Sequence, residues 1–401
     1  MKLNTLRPTY GLEEESFVIH RETRTLVTPI PECRRLVEQR LGIQAAWEYK
    51  ASVLELVTPI CHDPTQLIEE AAANRYEASS ILREFDCDLL PLATHPLADA
   101  RAAPAREGQR YRWIELHKGN AVKNLLVNGV HLHVGTYLNN AARLRAVPVL
   151  MHLVPIHAAA TACSPYFEAE DTGQESWRLR VLMQLASLLP AAPRTSEGLA
   201  RLGRAMRDAG GPRDGSEQWG LIRPGAGAKP TIEFRAADAS PSLDPLVWLA
   251  ALSGAAVHAE RAGRVTAPPV EAWDAIIMYL VNLDNVAAHG ADAKLIDPFD
   301  GCTKSVDAYV ASWVARCANS IDELGLGNAI SLIPTHIRHP AAALREVVEA
   351  SRRTLEGHGV SPADASQFGL RAALPWALRE AEETPRMSWI TEHRTASEGG
   401  K

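Results

Sequence analysis

One short segment near the start of the chain limits most strongly what this protein can fold into. Glu13, Glu14 and Glu15 lie inside residues 10–20, which are otherwise mostly apolar and predict a strand. Successive side chains of a strand point to opposite faces, so Glu13 and Glu15 share a face and Glu14 takes the other. Neighbouring carboxylates repel unless a cation lies between them, and Mg²⁺ prefers oxygen ligands. The alternative is an exposed edge strand with a solvated acidic face, and the motif alone fits that alternative better.

Two later strand candidates carry charges in the same way. Residues 45–58 alternate and place Glu55 among valines and leucines, where a buried and unpaired charge is costly. The alternative is a position on a solvent-facing side of the sheet. In residues 230–236, Glu233 and Arg235 share one face, and the alternative is a surface ion pair of small energy.

A fourth strand candidate carries two histidines. Within residues 125–137, His131 and His133 share one face while the apolar residues between and beside them take the other. Such a pair can bind zinc, so a zinc-dependent hydrolase is an alternative function, and two hydrogen-bonded structural histidines are the simpler explanation. If all four strands belong to one sheet, their polar groups converge on a surface that can hold Mg²⁺ and ATP phosphates.

The order of the predicted elements indicates an α+β fold, because strands come early and helices late. Beyond the strands above, we predict a hairpin partner at 26–29, a helix from Asp63-Pro64 to about Phe85, a strand at 88–94, a surface loop at 98–108, a helix at 141–163, and a loop at 208–230 with a strand at 218–223. Further helices are predicted at 241–262, 270–288, 304–323, 340–355 and 361–380, followed by a frayed tail at 388–401. We treat residues 1–401 as a single domain in which about 1–240 carry the sheet and the site, and about 241–385 are mostly helical.

Composition excludes several classes of protein. The formal net charge is -6 and no run of lysine or arginine stands out, so we expect no nucleic-acid partner. The six cysteines form no CxxC pair, which is typical of reduced residues in a cytoplasmic protein. The first residues lack the apolar core of a signal peptide. The most apolar windows, at 147–163 and 245–257, are interrupted by polar residues or proline and predict buried helices rather than membrane spans.

Several short motifs, in their order along residues 10–298, resemble the glutamate–cysteine ligase type 2 family, in particular its bacterial carboxylate–amine ligase branch. They are Gly11-Leu12-Glu13-Glu14-Glu15, Val53-Leu54-Glu55-Leu56, Ala93-Thr94-His95-Pro96, Gly129-Val130-His131-Leu132-His133-Val134-Gly135, Cys163-Ser164-Pro165-Tyr166, Asp171-Thr172-Gly173, Ser176-Trp177-Arg178, Ile222-Arg223-Pro224 and Thr231-Ile232-Glu233-Phe234-Arg235.

The resemblance implies a fold similar to the catalytic domain of glutamine synthetase, with a curved, mainly antiparallel sheet and helices on its outer face. It also implies that ATP activates a carboxylate as an acyl phosphate, which an amine then attacks, so the expected cofactors are ATP and Mg²⁺. The implied metal ligands are Glu13, Glu15, Glu55, His131 and Glu233. The implied catalytic residues are Arg178 and Arg235, and the implied cofactor contacts are Arg223, Arg235 and His133. Small carboxylate and amine substrates, no membrane partner and a homodimer complete the expectation.

The sequence departs from the family pattern at three places. Ala51 stands where a glutamate is common, Leu221 where an acidic residue is common, and Ala288 lies in a stretch that lacks the usual arginine and aromatic residue. These departures leave the acid and amine unidentified and motivate a third hypothesis, a non-catalytic descendant that binds a nucleotide or a partner.

Overall fold

The main sheet runs through the first part of the chain and carries the groups singled out above. A computed structural model describes residues 7–119, 122, 124–135, 139–185, 195–209, 220–224 and 230–383. Its strands are β1 (Thr9–His20), β2 (Ala45–Trp47), β3 (Val53–Val57), β4 (Cys87–Leu90), β5 (Gly129–Gly135), β6 (Tyr166–Phe167), β7 (Glu170–Asp171), β8 (Ile222–Pro224), β9 (Thr231–Asp238), β10 (Lys294–Ile296) and β11 (Thr303–Ser305). Seven of them form one sheet in the order β2-β3-β1-β5-β9-β8, with β4 paired to β1 as well.

Helices make up most of the remaining described chain. They are α1 (Pro31–Leu41), α2 (Pro64–Arg83), α3 (Gln109–Lys118), α4 (Asn140–Leu150), α5 (Val154–Thr161), α6 (Trp177–Leu185), α7 (Ser196–Asp208), α8 (Asp244–Arg261), α9 (Ala272–His289), α10 (Val306–Leu324), α11 (Gly327–Ile330), α12 (Pro340–Gly357), α13 (Pro362–Arg371) and α14 (Ala373–Glu383). The mixed α+β class with an antiparallel sheet is confirmed, since every pairing in the main sheet is antiparallel. The single-domain assignment stays a prediction.

Strand β1 is an interior strand, so the edge-strand alternative is wrong. It pairs with β3 on one side and with β5 on the other, and its last residues pair with β4. Backbone hydrogen bonds therefore hold the Glu13–Glu15 segment on both sides. The three glutamates of this strand therefore lie in the middle of the sheet, and exposure of an edge strand to solvent does not explain their charges.

One face of the sheet packs on helices and forms the largest core. Leu12, Val130, Leu132, Ile232 and Phe234 are all at most 2% exposed and belong to one cluster with apolar residues of α4, α5 and α8. Glu14 points into the same face and is buried, but Arg75 of α2 neutralises it. The Nε atom of Arg75 donates to both Glu14 oxygens at 3.0 and 2.9 Å. The parity predicted for Glu13, Glu14 and Glu15 is therefore confirmed.

Two predicted helices are each divided in the structure, and a proline lies in the first turn of each second helix, whereas the helices α1, α3, α6, α7 and α11 were not predicted. The helix predicted at 141–163 is divided at Met151–Leu153, and α5 restarts with Pro155 in its first turn, where a missing N–H is harmless. The helix predicted at 361–380 is likewise two helices, and the second has Pro375 in its first turn. The helix after Asp63 is confirmed, with the Asp63 side chain accepting from the Gln66 N–H at 2.9 Å.

Several strand and loop predictions need correction. The predicted strand 45–58 is a hairpin of β2 and β3, and the stretch 88–94 is extended only over Cys87–Leu90. The hairpin partner predicted at 26–29 is confirmed over a short stretch, since Leu26 bridges Ile19 and the Val27 N–H donates to the Val18 carbonyl at 2.9 Å. The end of β1 also pairs with β4. The loop 98–108 is partly buried, since the Lys50 ammonium donates to the carbonyls of Ala100 and Ala103. The strand predicted at 218–223 begins outside the described residues, as does all of 388–401.

The apolar windows form core helices. In the described part of the chain, Ala141–Thr161 is one stretch long and apolar enough to cross a membrane, and 89% of its most apolar window is buried inside the protein. All six cysteines are free thiols, and Cys302 alone among them is exposed.

Candidate active site

The face of the sheet opposite the helical core brings the predicted polar residues together. The register places Glu15 beside Glu55 and Glu13 beside His131. Farther along the sheet, Glu233 lies between His133 and Arg223. Residues at matching positions on neighbouring strands lie on the same face, so five strands supply one continuous polar surface.

Three groups on this surface could each hold a cation. In each group the oxygen and nitrogen atoms lie within 4.8 Å of one another. The groups are Glu13, Glu55 and His131; Glu13, His133 and Glu233; and Glu15, Glu48 and Glu55. Each group holds at most one histidine and at least two carboxylates, a donor set that suits Mg²⁺ better than zinc.

The charges of the third group support a cation between its members. Burial and the nearby Glu48 charge raise the pKa of Glu15 to about 7. Burial, together with the charges of Glu48, Glu13 and Glu15, raises the pKa of Glu55 well above its usual range. Carboxylates that resist ionisation in this way are relieved by a bound cation, which favours their charged form.

Glu13 and the two histidines form the centre of the site. The Nδ1 atom of His131 and the Nε2 atom of His133 each lie 3.3 Å from a Glu13 oxygen. Burial alone would raise the pKa of Glu13, but these histidines lower it. Burial and the charge of Arg235 lower the pKa of His131 to about 3, so its ring is neutral at physiological pH and keeps the lone pair that a metal ligand needs.

Glu233 is held by two arginines. Arg223 donates to its two oxygens at 2.8 and 3.1 Å, and Arg235 donates to Oε1. Burial would raise the pKa of Glu233, yet Arg235, His133 and Arg223 lower it, so the carboxylate is ionised. Glu233 is 1% exposed, which makes the surface ion-pair alternative wrong.

A cavity of about 350 Å³ lies over this surface. Glu13, Glu15, Glu55 and His131 line it together with Arg178, Arg223 and Arg235, whereas His133 and Glu233 lie beside the lining residues. Part of the cavity lining is apolar, formed by Val53, Ile114, Leu125, Val127, Leu182 and Leu221. The cavity therefore combines carboxylates and arginines with apolar lining residues, as ligand pockets commonly do.

Sequence reasoning missed one acidic member of this surface, Glu48. It follows β2 directly, and its N–H donates to the Val53 carbonyl at 3.1 Å, which closes the hairpin. Because the chain reverses at residues 49–52, Glu48 and Glu55 reach the same face although they are seven residues apart. A continuous strand would have put them on opposite faces.

The three departures from the family pattern occupy different surroundings. Ala51 is buried away from the cavity lining, and Glu48 supplies an additional carboxylate nearby. Leu221 lines the cavity, so it changes the wall that a substrate meets. Ala288 is half-buried near the end of α9. Only the departure at Leu221 alters the described lining of the site.

Comparison with known proteins identifies the family. The family model for glutamate–cysteine ligase family 2 (GCS2) matches residues 9–276. The chain belongs to this family. The prediction of the family from its motifs is confirmed, and with it the assignment to the ligases. The matched range runs from β1 through α8 to the first turn of α9 and therefore includes every residue of the polar surface.

Relatives agree with this assignment, and a solved structure shares the fold. A protein of Ectopseudomonas mendocina, provisionally named glutamate–cysteine ligase 2, is 30% identical over 280 residues, covering 69% of this chain and 72% of the relative. A relative of the same provisional name from Paracoccus denitrificans is 26% identical over 92% of this chain and 96% of its own. The crystal structure of glutamate–cysteine ligase from Francisella tularensis in complex with AMP superposes with a TM-score of 0.60 at 14% identity, covering 99% of each chain. This last likeness concerns the fold, and none of the three supports the zinc-hydrolase alternative.

Proposed function

We propose that this protein is an ATP- and Mg²⁺-dependent carboxylate–amine ligase that forms an amide bond through an acyl phosphate. The observation that carries the proposal is the convergence of Glu13, Glu15, Glu48, Glu55 and His131 on one cavity-lining sheet face. Membership of the ligase family supports the reaction class. The Francisella structure with bound AMP supports a nucleotide as the cofactor.

The carboxylate groups fit magnesium. The residues that would hold it are Glu13, Glu55 and His131 in one group, Glu15, Glu48 and Glu55 in another, and Glu13, His133 and Glu233 in the third. Burial and neighbouring carboxylates raise the pKa values of Glu15 and Glu55, and a bound cation would offset both effects, which supports this assignment. When bound, Mg²⁺ neutralises phosphate oxygens and the charge that develops during phosphoryl transfer.

The arginines of the cavity would orient the anionic reactants. Arg178 and Arg235 carry planar guanidinium groups that can clamp a phosphoryl or carboxylate group through two parallel hydrogen bonds. Arg223 lines the same wall, and its pair with Glu233 fixes its position. These residues would hold the substrate carboxylate in line with the γ-phosphorus of ATP, and positioning of this kind supplies much of the catalysis.

The apolar residues of the cavity lining would serve the second step, in which the amine attacks the acyl phosphate. An acyl phosphate hydrolyses in water, so a dry wall formed by Ile114, Leu125 and Leu182 would protect it until the amine arrives. The amine must attack as the free base, and loss of water beside these apolar residues favours that form. Leu221 in the wall favours an amine or acid whose nearest part is uncharged.

The proposal also includes the detailed fold, the substrates, the location and the oligomeric state of the protein. We infer a curved sheet like that of the glutamine synthetase catalytic domain, small carboxylate and amine substrates, a cytoplasmic location and a homodimer, with no nucleic-acid or membrane partner. The family assignment and the antiparallel sheet are the support for the fold.

A phosphate-release screen tests the function. Purified protein is incubated with ATP, Mg²⁺ and a matrix of amino acids, other small acids and amines, and phosphate is measured. We expect release that requires both the correct acid and Mg²⁺. Glu55→Gln should abolish it because that carboxylate belongs to two of the cation groups. Glu22→Gln, at an exposed turn after β1, is the matched control and should retain full turnover.

The outcomes separate the alternatives. Undiminished turnover in Glu55→Gln would refute the metal assignment. Stoichiometric zinc in protein purified without added metal, with ATP-independent hydrolysis, would favour the zinc hydrolase. Tight ATP binding without turnover on any acid and amine pair would instead identify a descendant that has lost catalysis.

A further inference from the structure

Asp238, at the end of β9, is a buried carboxylate that no role described so far explains. It is 1% exposed. Its Oδ2 accepts hydrogen bonds from the Cys163 N–H at 2.9 Å and from the Ser164 hydroxyl at 2.7 Å. Its Oδ1 accepts from the Ser176 hydroxyl at 2.9 Å and lies 3.8 Å from Nη1 of Arg178. An aspartate with this many partners is held rigidly.

The two serines that bind Asp238 also form hydrogen bonds with the first turn of α6. The Ser164 hydroxyl oxygen accepts from the Arg178 N–H at 3.1 Å, and the Ser176 hydroxyl oxygen accepts from the Leu179 N–H at 3.1 Å. The first N–H groups of a helix have no acceptor within the helix, and here the two serine hydroxyl oxygens act as their acceptors. Asp238 therefore fixes the backbone from which the Arg178 side chain extends.

The Arg178 guanidinium lies against the sheet at the rim of the cavity. Asp238 and Gly129 are paired residues of β9 and β5, and a Cβ atom on Gly129 would lie 1.8 Å from Nη2 of Arg178. Nη2 donates to the Arg235 carbonyl at 3.1 Å, whereas Nε and Nη1 have no hydrogen-bond partner. Buried donors left unpaired are costly, and here they belong to a residue that lines the cavity.

Two carboxylates attract this guanidinium. Burial lowers the pKa of Arg178, and Asp238 and Glu15 oppose that effect. Glu15 contacts the same glycine that Arg178 packs against, since its carboxylate accepts the Gly129 N–H at 2.7 Å. If Asp238 lost its charge, Glu15 would be the remaining strong attraction. Arg178 would then move onto Glu15 and occupy a carboxylate of the cation site.

We propose that Asp238 is a positioning residue, which holds the Arg178 guanidinium at the cavity lining, where it can attract an anionic phosphate, and keeps it off Glu15. The proposal rests on the proposed function, because it assigns the Arg178 guanidinium to the phosphates of a nucleotide. It predicts that Asp238 acts only through Arg178.

A double-mutant cycle tests the proposal, with MgADP as the probe and calorimetry as the measurement. Asp238→Asn keeps the shape and removes the charge, and Arg178→Met removes the guanidinium. We expect each to weaken MgADP binding by at least tenfold, and the double variant to bind within about twofold of Arg178→Met. Asp297→Asn is the matched control. Asp297 is another buried aspartate, paired with Lys304 and Arg316 outside the cavity lining, so its loss should lower stability but leave MgADP affinity unchanged.

Two results would overturn the role of Asp238 without affecting the proposed ligase function. One is an unchanged MgADP affinity of Asp238→Asn, and the other is a double variant whose loss of affinity is the product of the two single losses. No MgADP binding by the wild-type protein would overturn the proposed function and the inference with it. If Asp238→Asn does not fold, Ser176→Ala replaces it. That variant frees Asp238 Oδ1 and should weaken binding about threefold or more, and affinity equal to wild type would refute the proposal.

Discussion

Glu15→Gln should stabilise the protein in the absence of metal. The pKa of Glu15 is raised from 4.5 to about 7 by burial and by the charge of Glu48. In the unfolded chain the group ionises near its usual value, so the folded state loses stability as pH rises from about 4.5 through 7. Gln cannot ionise and avoids this loss. A difference of one between the folded and unfolded pKa values corresponds to about 1.4 kcal/mol, so above pH 7 the folded state loses on the order of 3 kcal/mol of stability.

The expected change in melting temperature follows from the size of the protein. Unfolding entropy of about 2.1 cal/mol/K per residue, over 401 residues, converts ~3 kcal/mol to a rise of about 3–4 °C. Thermal unfolding is measured in EDTA at pH 8 and at pH 5. Glu15→Gln should melt higher than wild type at pH 8 and close to it at pH 5. Adding Mg²⁺ and ADP at pH 8 should stabilise the wild type more than the variant.

Glu22→Gln controls for the general effect of removing a negative charge and should melt with the wild type at both pH values. A Glu15→Gln protein that melts below the wild type in EDTA at pH 8 would refute the reasoning. It would mean that the Glu15 charge is already compensated within the chain, which removes the electrostatic case for a cation at that group.

Three further predictions test other parts of the site. Gly129→Ala places a Cβ atom 1.8 Å from Nη2 of Arg178 and should weaken MgADP binding at least tenfold in calorimetry. Gly11→Ala on the adjacent strand is the control and should bind normally, because its Cβ atom would lie 3.7 Å from the Cβ atom of His133. Equal MgADP affinities of the two variants would contradict the placement of Arg178. Glu14→Gln leaves Arg75 buried without its charge partner and should cost ~3–5 kcal/mol in urea unfolding, and a cost below ~1 kcal/mol would show that this pair is not a buried clamp. Mg²⁺ affinity should rise between pH 6 and pH 8, because Glu15 and Glu55 must release protons to bind it, and a flat profile would exclude them as ligands.

Strand parity accounts for how much of the site the sequence could predict. The two-residue period of a strand placed Glu13 and Glu15 on one face and Glu14 on the other, and the structure agrees. The same period grouped His131 with His133 and Glu233 with Arg235. Parity is a local property of an extended chain, so it can be read from neighbouring residues without knowledge of the fold.

What the sequence could not predict depends on contacts between distant segments. Glu48 was missed because residues 45–58 were taken as one strand, and the reversal at 49–52 changes which face each residue occupies. The pairing of the last residues of β1 with β4 was also missed, since β4 comes from nearly seventy residues farther along the chain. The network of Asp238 was invisible for the same reason, as its partners come from the start of α6 and the segment before β6.

The positions of bound cations test the central claim most directly. Crystals of the protein grown with Mn²⁺ and ADP allow Mn²⁺ to be located by its anomalous scattering. We predict peaks within coordination distance of Glu13, Glu55 and His131, and of Glu15, Glu48 and Glu55, with the ADP phosphates between the ions and the cavity arginines. ADP bound elsewhere, or well-ordered ADP in the cavity with no anomalous peak at these carboxylates, would contradict the account of this surface as a metal–nucleotide site.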